Sequence, residues 1–486
     1  MTDIHNATPP RGDAGPPADP YRPRYHFTPR RGWMNDPNGL VWFDGEYHLF
    51  FQHEWPRGWG HAISRNLVSW TELPLALAPD ERGHIWSGSV VVDRRNTSGL
   101  FPNGAGLVAL FTHWRDGHQE QSLAYSHDRG RTWIRYPANP VIANPGLADF
   151  RDPKVFWYEP GGSWVLVLAA GDRVQFYRST DLQRWEVLSA FAGLPGEAPG
   201  VWECPDLVAL PVEGQPGRQV WTLHLSKNGP DGSWMQYYIG DFDGAAFRAE
   251  ALARTDGGRD FYAAITWSDL PDPDRRLWIG WLNNWKYAHR LPTAPWQGAM
   301  SIPRDLLLRE TPAGLRLVQR PAPELRQLRR PGIRLASLRI GTTPRALPEP
   351  PSGAYELLAV LRPGNAGEVG VRVRAGGGQG TTIGYRPAAG TLFLDRRRSG
   401  AVDFAPGFAD VSEIPLALAD GTLRLHIFVD RSTIEVFADD GAATLSALVF
   451  PAAHCNRIEL YAEGGAAMLD TLELYELRGG PDTVTR

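Results

Sequence analysis

Three acidic residues set in proline-terminated tripeptides are the side chains best equipped for chemistry: Asp36 in WMNDPNG, Asp152 in FRDPK and Glu203 in WECPD. Carboxyl groups gathered in a pocket are the usual means of breaking a glycosidic bond. One attacks the anomeric carbon, another protonates the leaving oxygen, and when configuration is retained the two stand roughly 5 Å apart. That division of labour needs two environments. The amide of Asn35 and the Pro37 turn predict a low pKa for Asp36, leaving it ionised as a nucleophile. Trp202 and Cys204 flank Glu203, and an apolar surround raises a carboxyl pKa, which suits a general acid whose deprotonation sets the alkaline limb of the rate. Arg151 is expected to keep Asp152 charged, so that it steadies an oxocarbenium-like transition state.

Acids so distant in sequence converge only if the fold repeats. One strand type recurs as YHLFF from Tyr47, LVALF from Leu107, WVLVLA from Trp164, WTLHL from Trp221 and LWIGWL from Leu277, at intervals of 60, 57, 57 and 56 residues. Four of these strands are followed by a polar turn closing on a ring, at Trp70, Trp133, Trp185 and Phe247. Helical periodicity is nearly absent, and repeats of this length suit four-stranded blades. The chain is therefore read as all-β, a five-bladed β-propeller over 25–315. A run upstream of each repeated strand is the expected innermost strand, and Asp36, Ser87, Asp152, Glu203 and Asp260 stand at the starts of those runs, ringing one mouth of the axial channel.

Around that mouth, Gln52, Trp59, Trp86, Ser87, Tyr262 and Trp285 are expected to form a sugar platform, rings stacking on sugar faces while amides and hydroxyls fix orientation. Trp70, Trp133 and Trp185 are assigned to blade packing. His48, His53, His61 and His84 form no set with metal-ligand spacing, so no metal is predicted. Cys204 has no histidine or asparagine partner near it in sequence and is expected to pack against and dry the acid's pocket.

Beyond about Arg320, Trp disappears, Pro and Arg cluster in QRPAPELRQLRRPG, and alternating strands such as LRLHIFVD and RIELYAE follow. This predicts a linker at 316–335 and a β-sandwich at 336–486. The AGGGQG run at 375–380 is read as a hairpin loop. Residues 1–24 read as a disordered tail; with no apolar stretch near the start, no signal peptide is read and a cytoplasmic location is expected. A formal net charge of -4 without a dense basic run argues against a nucleic-acid surface, and the absence of a long apolar run argues against a membrane-spanning helix.

The three acidic blocks resemble the signatures of glycoside hydrolase family 32, the family of invertases, inulinases and levanases. The similarity extends through WGHAISRNLVSW, WSGSVVVD, GRDFYAAITWSD, GWLNNWKY, WQGAMSIPRDL and DRSTIEVFADDG. It implies a catalytic five-bladed propeller with a C-terminal sandwich that acts with retention and without a cofactor on β-D-fructofuranosides, small or oligomeric. By that resemblance Asp36 is the nucleophile, Asp152 the stabiliser and Glu203 the acid/base. Asn35, Gln52, Trp59, Trp86, Ser87 and Arg151 match positions that bind the terminal fructose. DFYAAITWSD and GWLNNWKY look most like exo-acting levanases and exo-inulinases. A fructosyltransferase on the same scaffold and a non-catalytic carbohydrate-binding propeller are the alternative readings.

Overall fold

A computed structural model describes residues 19–54, 57–102 and 104–479. Within them the regular secondary structure is almost entirely strand, and the helical turns are three short 3-10 segments, Glu159–Gly161, Ala288–Arg290 and Pro323–Leu328. None is long and apolar enough to cross a membrane.

Five successive antiparallel meanders make the blades. Their innermost strands are Gly32–Phe43, His84–Asp93, Arg151–Tyr158, Val201–Pro211 and Tyr262–Thr266, and each touches the next in order, the fifth returning to the first. Closure is by hydrogen bonds as well as packing. Trp296–Gln297, from the connection within blade 5, pairs in parallel with Gly32 and Trp33 of blade 1, and Gly32 N donates to Pro295 O at 2.8 Å.

The recurring tryptophans have a common local cause. In the turns after the third strands of blades 1 and 3, Asn66 and Asp181 accept backbone N–H groups across the turn, and Leu67 and Leu182 take up left-handed backbone. The indoles of Trp70 and Trp185 then donate to the carbonyls of those two leucines, each at 3.0 Å. Trp133 does the same to Gly130 at 3.1 Å. These rings close turns and pack blade against blade.

Each innermost strand also carries a β-bulge near its start. Regular pairing breaks between Met34 and Pro37, Ile85 and Gly88, Arg151 and Lys154, Glu203 and Asp206, and Tyr262 and Ile265. A bulge inserts one residue and re-aims the side chains around it. Asp152, Cys204 and Ala263 hold left-handed backbone there, with φ of 63°, 46° and 53°. Counted from the break, the acids do not occupy one repeated position: Asp36 and Ser87 follow it by two residues, Asp152 by one, and Glu203 stands at it. Asp260 lies two residues before it, outside the bulge.

The sandwich consists of two six-stranded sheets enclosing a separate aliphatic core that includes Leu357, Val371, Ile427, Val436 and Leu472. Gly376 pairs with Gln379 across a tight hairpin, so the glycine-rich run at 375–380 is a strand connection. The fifth blade continues through strand Gly314–Pro321, which shortens the expected linker to the stretch before strand Ile333–Ile340. Of the tail expected over 1–24, residues 1–18 lie outside the described residues. Residues 19–24 are held in place, with Arg22 paired to Asp19 at 2.9 Å and Arg24 N donating to Asp430 of the sandwich at 2.8 Å.

Propeller and sandwich meet across buried charge. Arg304 of blade 5 is wholly buried and pairs with Glu435 of the sandwich and with Asp256 at 3.1 Å, its guanidinium lying between the rings of Phe261 and Phe437. Gly441 comes so close that an added Cβ would sit 1.9 Å from Gln319 O, and its φ of +88° also requires glycine. His26, just before the first blade, is buried with one ring nitrogen 3.0 Å from Asp430 and the other 2.9 Å from Glu435.

Burial opposes a charge on His26, but the two carboxylates prevail and raise its pKa from 6.5 to about 9. The folded state therefore holds a proton that the unfolded state releases above pH 6.5. This stabilisation, about 3 kcal/mol, is complete below pH 6.5 and is lost as pH rises through 9. Melting temperature is expected to fall across that window, and His26→Gln should start lower and show a flatter profile, as calorimetry over pH 6 to 10 would record.

Candidate active site

The bulged starts of blades 1 to 4 and the first residue of blade 5 converge on one mouth. Asp36 accepts Ser87 Oγ on one oxygen at 2.7 Å and Asn35 Nδ2 on the other at 2.9 Å. The indole of Trp33 fixes Asn35 in turn, donating to its Oδ1 at 2.7 Å. Ser87 comes from the bulge of the neighbouring blade, so the same irregularity that exposes Asp36 supplies its donor.

Cys204 joins this acid to the next. Its Sγ lies 3.6 Å from Asp36 Oδ2 and 3.7 Å from Asp152 Oδ2, and its backbone N donates to Asp152 at 3.0 Å. The left-handed φ at Cys204 aims both donors at the carboxylates. Thr112 Oγ1 accepts the backbone N–H of Asp152 at 3.0 Å and donates to Gln121 at 2.8 Å, holding the bulge from blade 2.

Glu203 completes the cluster. One oxygen accepts Arg151 Nη2 at 3.1 Å and the other accepts the hydroxyl of Tyr262. Arg151 is braced by Asp149 at 2.5 Å. The expected apolar wall of Trp202 is absent, because successive residues of a strand face opposite sides: Trp202 packs outward, with Lys227 5.3 Å from its ring centre. Glu203 faces a cation and a phenol instead.

The electrostatics also differ from the expectation for Asp36. Burial, followed by the nearby Glu203 carboxylate, raises its pKa, against the opposing hydrogen bonds of Ser87, Asn35 and Cys204. Burial pushes Asp152 up to about 7, with Arg151 pulling it down and Asp36 and Glu203 adding to the rise. Burial likewise places the Cys204 thiol and the Tyr262 phenol well above their ordinary values, so both remain protonated donors. Burial alone would lower Arg151, but Glu203, Asp152 and Asp149 raise it and keep it charged. Asp36 and Asp152 are joined through Cys204 and act on each other through charge, so these two carboxyls titrate as a coupled pair.

The rim is aromatic. Trp86 is half-buried, lies parallel to Trp114 with ring centres 5.4 Å apart, and has the Arg151 guanidinium 5.9 Å from its own ring centre. Trp285, also half-buried, stacks on the buried Trp33 with ring centres 6.1 Å apart. Gln52 is buried, with Nε2 donating to Ile85 O at 2.9 Å while its Oε1 has no partner among the described residues. An unpaired buried acceptor beside the site is well placed to receive a ligand hydroxyl.

Two expected contacts take other roles. Trp59 is fully buried against Phe50 and Phe111, and its indole donates to Trp86 O at 2.9 Å. It supports the rim from behind and offers no face to a sugar. Asp260 is also fully buried, paired with Arg396 of the sandwich at 2.5 Å, accepting the Tyr287 hydroxyl and the Leu448 N–H. Its place before the bulge turns it to the domain seam.

His48 and His61 stack and share a 3.0 Å contact inside blade 1. Burial drives His48 down to about 3 and His61 well below its ordinary value, so both are neutral core residues. Among the described residues no cluster of three or more His, Cys, Asp or Glu is arranged to hold a metal ion. Thr112, Trp33 and Asp149 were missed from sequence. Asp149 had a signal, an acid two residues before Arg151, whereas Thr112 lies within an ordinary strand pattern.

Comparison with known proteins agrees with this architecture. The model for the glycosyl hydrolases family 32 N-terminal domain matches residues 26–321, and that for the family's C-terminal domain matches 324–476. The chain is 48% identical over 478 residues to a levanase of Bacillus subtilis (strain 168), covering 94% of this chain and 70% of the levanase. It is 36% identical over 510 residues to an extracellular exo-inulinase of Aspergillus awamori, covering 94% and 95%. The crystal structure of exo-inulinase from Aspergillus awamori superposes with a TM-score of 0.88 at 35% identity over 95% of this chain and 99% of that one. Fructofuranosidase from Schwanniomyces occidentalis, complexed with fructose, gives 0.85 at 28% identity over 95% and 99%.

Proposed function

Because the chain belongs to glycoside hydrolase family 32, we propose that it is a retaining, exo-acting β-fructosidase that releases terminal fructose from fructans, fructooligosaccharides and sucrose. The observation that carries this reading is the contact set joining Asp36, Asp152 and Glu203 through Ser87, Cys204, Arg151 and Tyr262 at the mouth of the propeller.

The terminal fructosyl group enters the axial pocket. Glu203 gives its proton to the leaving oxygen, and Asp36 attacks C2 to form a fructosyl-enzyme. Water then enters where the leaving group stood, Glu203 takes its proton, and fructose departs with its β configuration. Asp36 is half-buried, and the donors Ser87 and Asn35 on its two oxygens hold its carboxylate in place to attack. Asp152, turned toward the ring and backed by Arg151, holds sugar hydroxyls and stabilises the positive charge of the transition state.

The levanase and exo-inulinase relatives favour fructan chains as substrates. Incubation with sucrose, inulin and levan, followed by chromatography and proton NMR within the first minutes, tests the reading. Fructose is expected as the sole early product from the polymers, and as the β anomer. Early oligosaccharides or an initial α anomer would contradict it.

A further inference from the structure

Arg151 faces three carboxylates at once. Its Nη2 donates to Glu203 at 3.1 Å, its Nε lies 4.0 Å from Asp152, and its Nη1 donates to Asp149 at 2.5 Å. Asp152 and Glu203 have parts in the proposed reaction; Asp149 has none. It stands in the connection that leads from blade 2 into the innermost strand of blade 3, and blade 2 holds it there. Gln119, buried in strand His118–Ser126, donates through Nε2 to Ala148 O at 3.1 Å and accepts the Phe150 N–H on Oε1 at 2.8 Å. The backbone is thus gripped on both sides of Asp149, and the same Oε1 also accepts Arg151 Nη1 at 3.3 Å. Upstream, Asn144 closes the turn by accepting the N–H groups of Gly146 and Leu147 at 2.8 and 2.7 Å. These tethers fix the Asp149 carboxylate against the guanidinium.

A group that gives a proton in one step and takes one back in the next must be stable in both states. A guanidinium beside a carboxyl favours only the ionised one. Standing alone, Arg151 would hold Glu203 as a carboxylate and leave the departing oxygen without a proton donor. Asp149 opposes this in two ways. It occupies the other terminal nitrogen of the guanidinium, and its own negative charge disfavours a further one close by. The remaining titratable groups that face Arg151 and Glu203 are Asp36 from blade 1, Asp152 from blade 3, Cys204 from the acid's own strand and Tyr262 from blade 5. Blade 2 presents Gln119, Thr112 and the Trp86 ring, none of which titrates.

We propose that Asp149 is a positioning residue that acts through Arg151 on Glu203, keeping the acid able to hold its proton until the leaving oxygen takes it. The proposal rests on the fructosidase reading above, in which Glu203 is the acid/base.

The test is the pH profile of kcat/KM for sucrose, measured on the full chain and on Asp149→Asn, Asp149→Ala and Asp149→Glu. The alkaline limb reports loss of the proton from the acid of the free enzyme. It is expected to move about one pH unit lower in the Asn and Ala variants, so that kcat/KM falls about tenfold above the limb and much less below it. Asp149→Glu keeps the charge and should reverse most of that shift. The acid limb, where Asp36 must be ionised, should move less, because Asp149 contacts Arg151 and not Asp36. An alkaline limb that stays in place in the Asn and Ala variants, or moves equally in all three, would overturn the proposal. A merely structural Asp149 would instead scale the whole profile and lower the melting temperature. With 30% of the Asp149 side chain exposed, its replacement leaves no buried void, and should the Ala variant not fold, Asn and Glu still decide. Glu203→Gln separates the two readings. If it keeps wild-type activity and limb, the role of Glu203 falls and this proposal with it; a limb that depends on Glu203 but does not move in Asp149→Asn overturns this proposal alone.

Discussion

Asp36→Asn is expected to lower kcat for fructose release by about 10⁴-fold or more while leaving the protein folded. An amide has the size of a carboxylate and can still accept from Ser87, but it cannot form the covalent fructosyl-enzyme. The stability change should run the other way. Asp36 is held with its pKa raised by burial and by Glu203, so its negative charge is costly at neutral pH, and a neutral side chain removes that cost. Melting temperature is expected to stay level or rise as activity disappears, a pattern typical of sites selected for chemistry over stability. Retention of more than a tenth of the activity would exclude Asp36 as nucleophile; loss of activity together with a large fall in melting temperature would assign it a structural part.

Asp260→Ala has the largest expected effect on stability. Arg396 is wholly buried among Asp260, Tyr287 and Asp410, its guanidinium 4.0 Å from the centre of the Phe408 ring. Removing one carboxylate leaves a buried cation short of a partner, a loss of about 3–5 kcal/mol. Urea denaturation is expected to show a clear drop in midpoint. At low temperature, where the variant remains folded, KM for sucrose should change by no more than a few-fold. A large KM increase without destabilisation would restore Asp260 to the sugar site.

Much of this arrangement could be read from the sequence because it is periodic. The turn that ends in Trp70, Trp133 and Trp185 needs a short polar side chain, a left-handed residue and an indole at fixed spacing, so each blade leaves the same imprint. Asp36, Asp152 and Glu203 stood out because each lies within one or two residues of a proline beside its bulge. The error at Asp260 has the same origin. A bulge changes side-chain direction by one residue without a distinct composition, so counting blade positions cannot tell Glu203, at the break, from Asp260, two residues before the equivalent point at Tyr262. Trp59 and Trp86 look alike as letters beside small residues, and only the packing of blade 1 against blade 2 decides which ring is covered. The charges at the seam were illegible for another reason. Arg304 and Glu435 are 131 residues apart, and nothing local to either announces the other.

His26 and its two carboxylates bear on how this chain is made. Asp430 lies 404 residues downstream, and at about 5–20 residues per second a ribosome needs roughly 20–80 s to add that length. Throughout that interval the segment leading into the first blade has emerged without the partners that anchor it. The propeller can assemble its blades in order during synthesis, but its first strand is locked in place only after Asp430 and Glu435 of the sandwich have been translated.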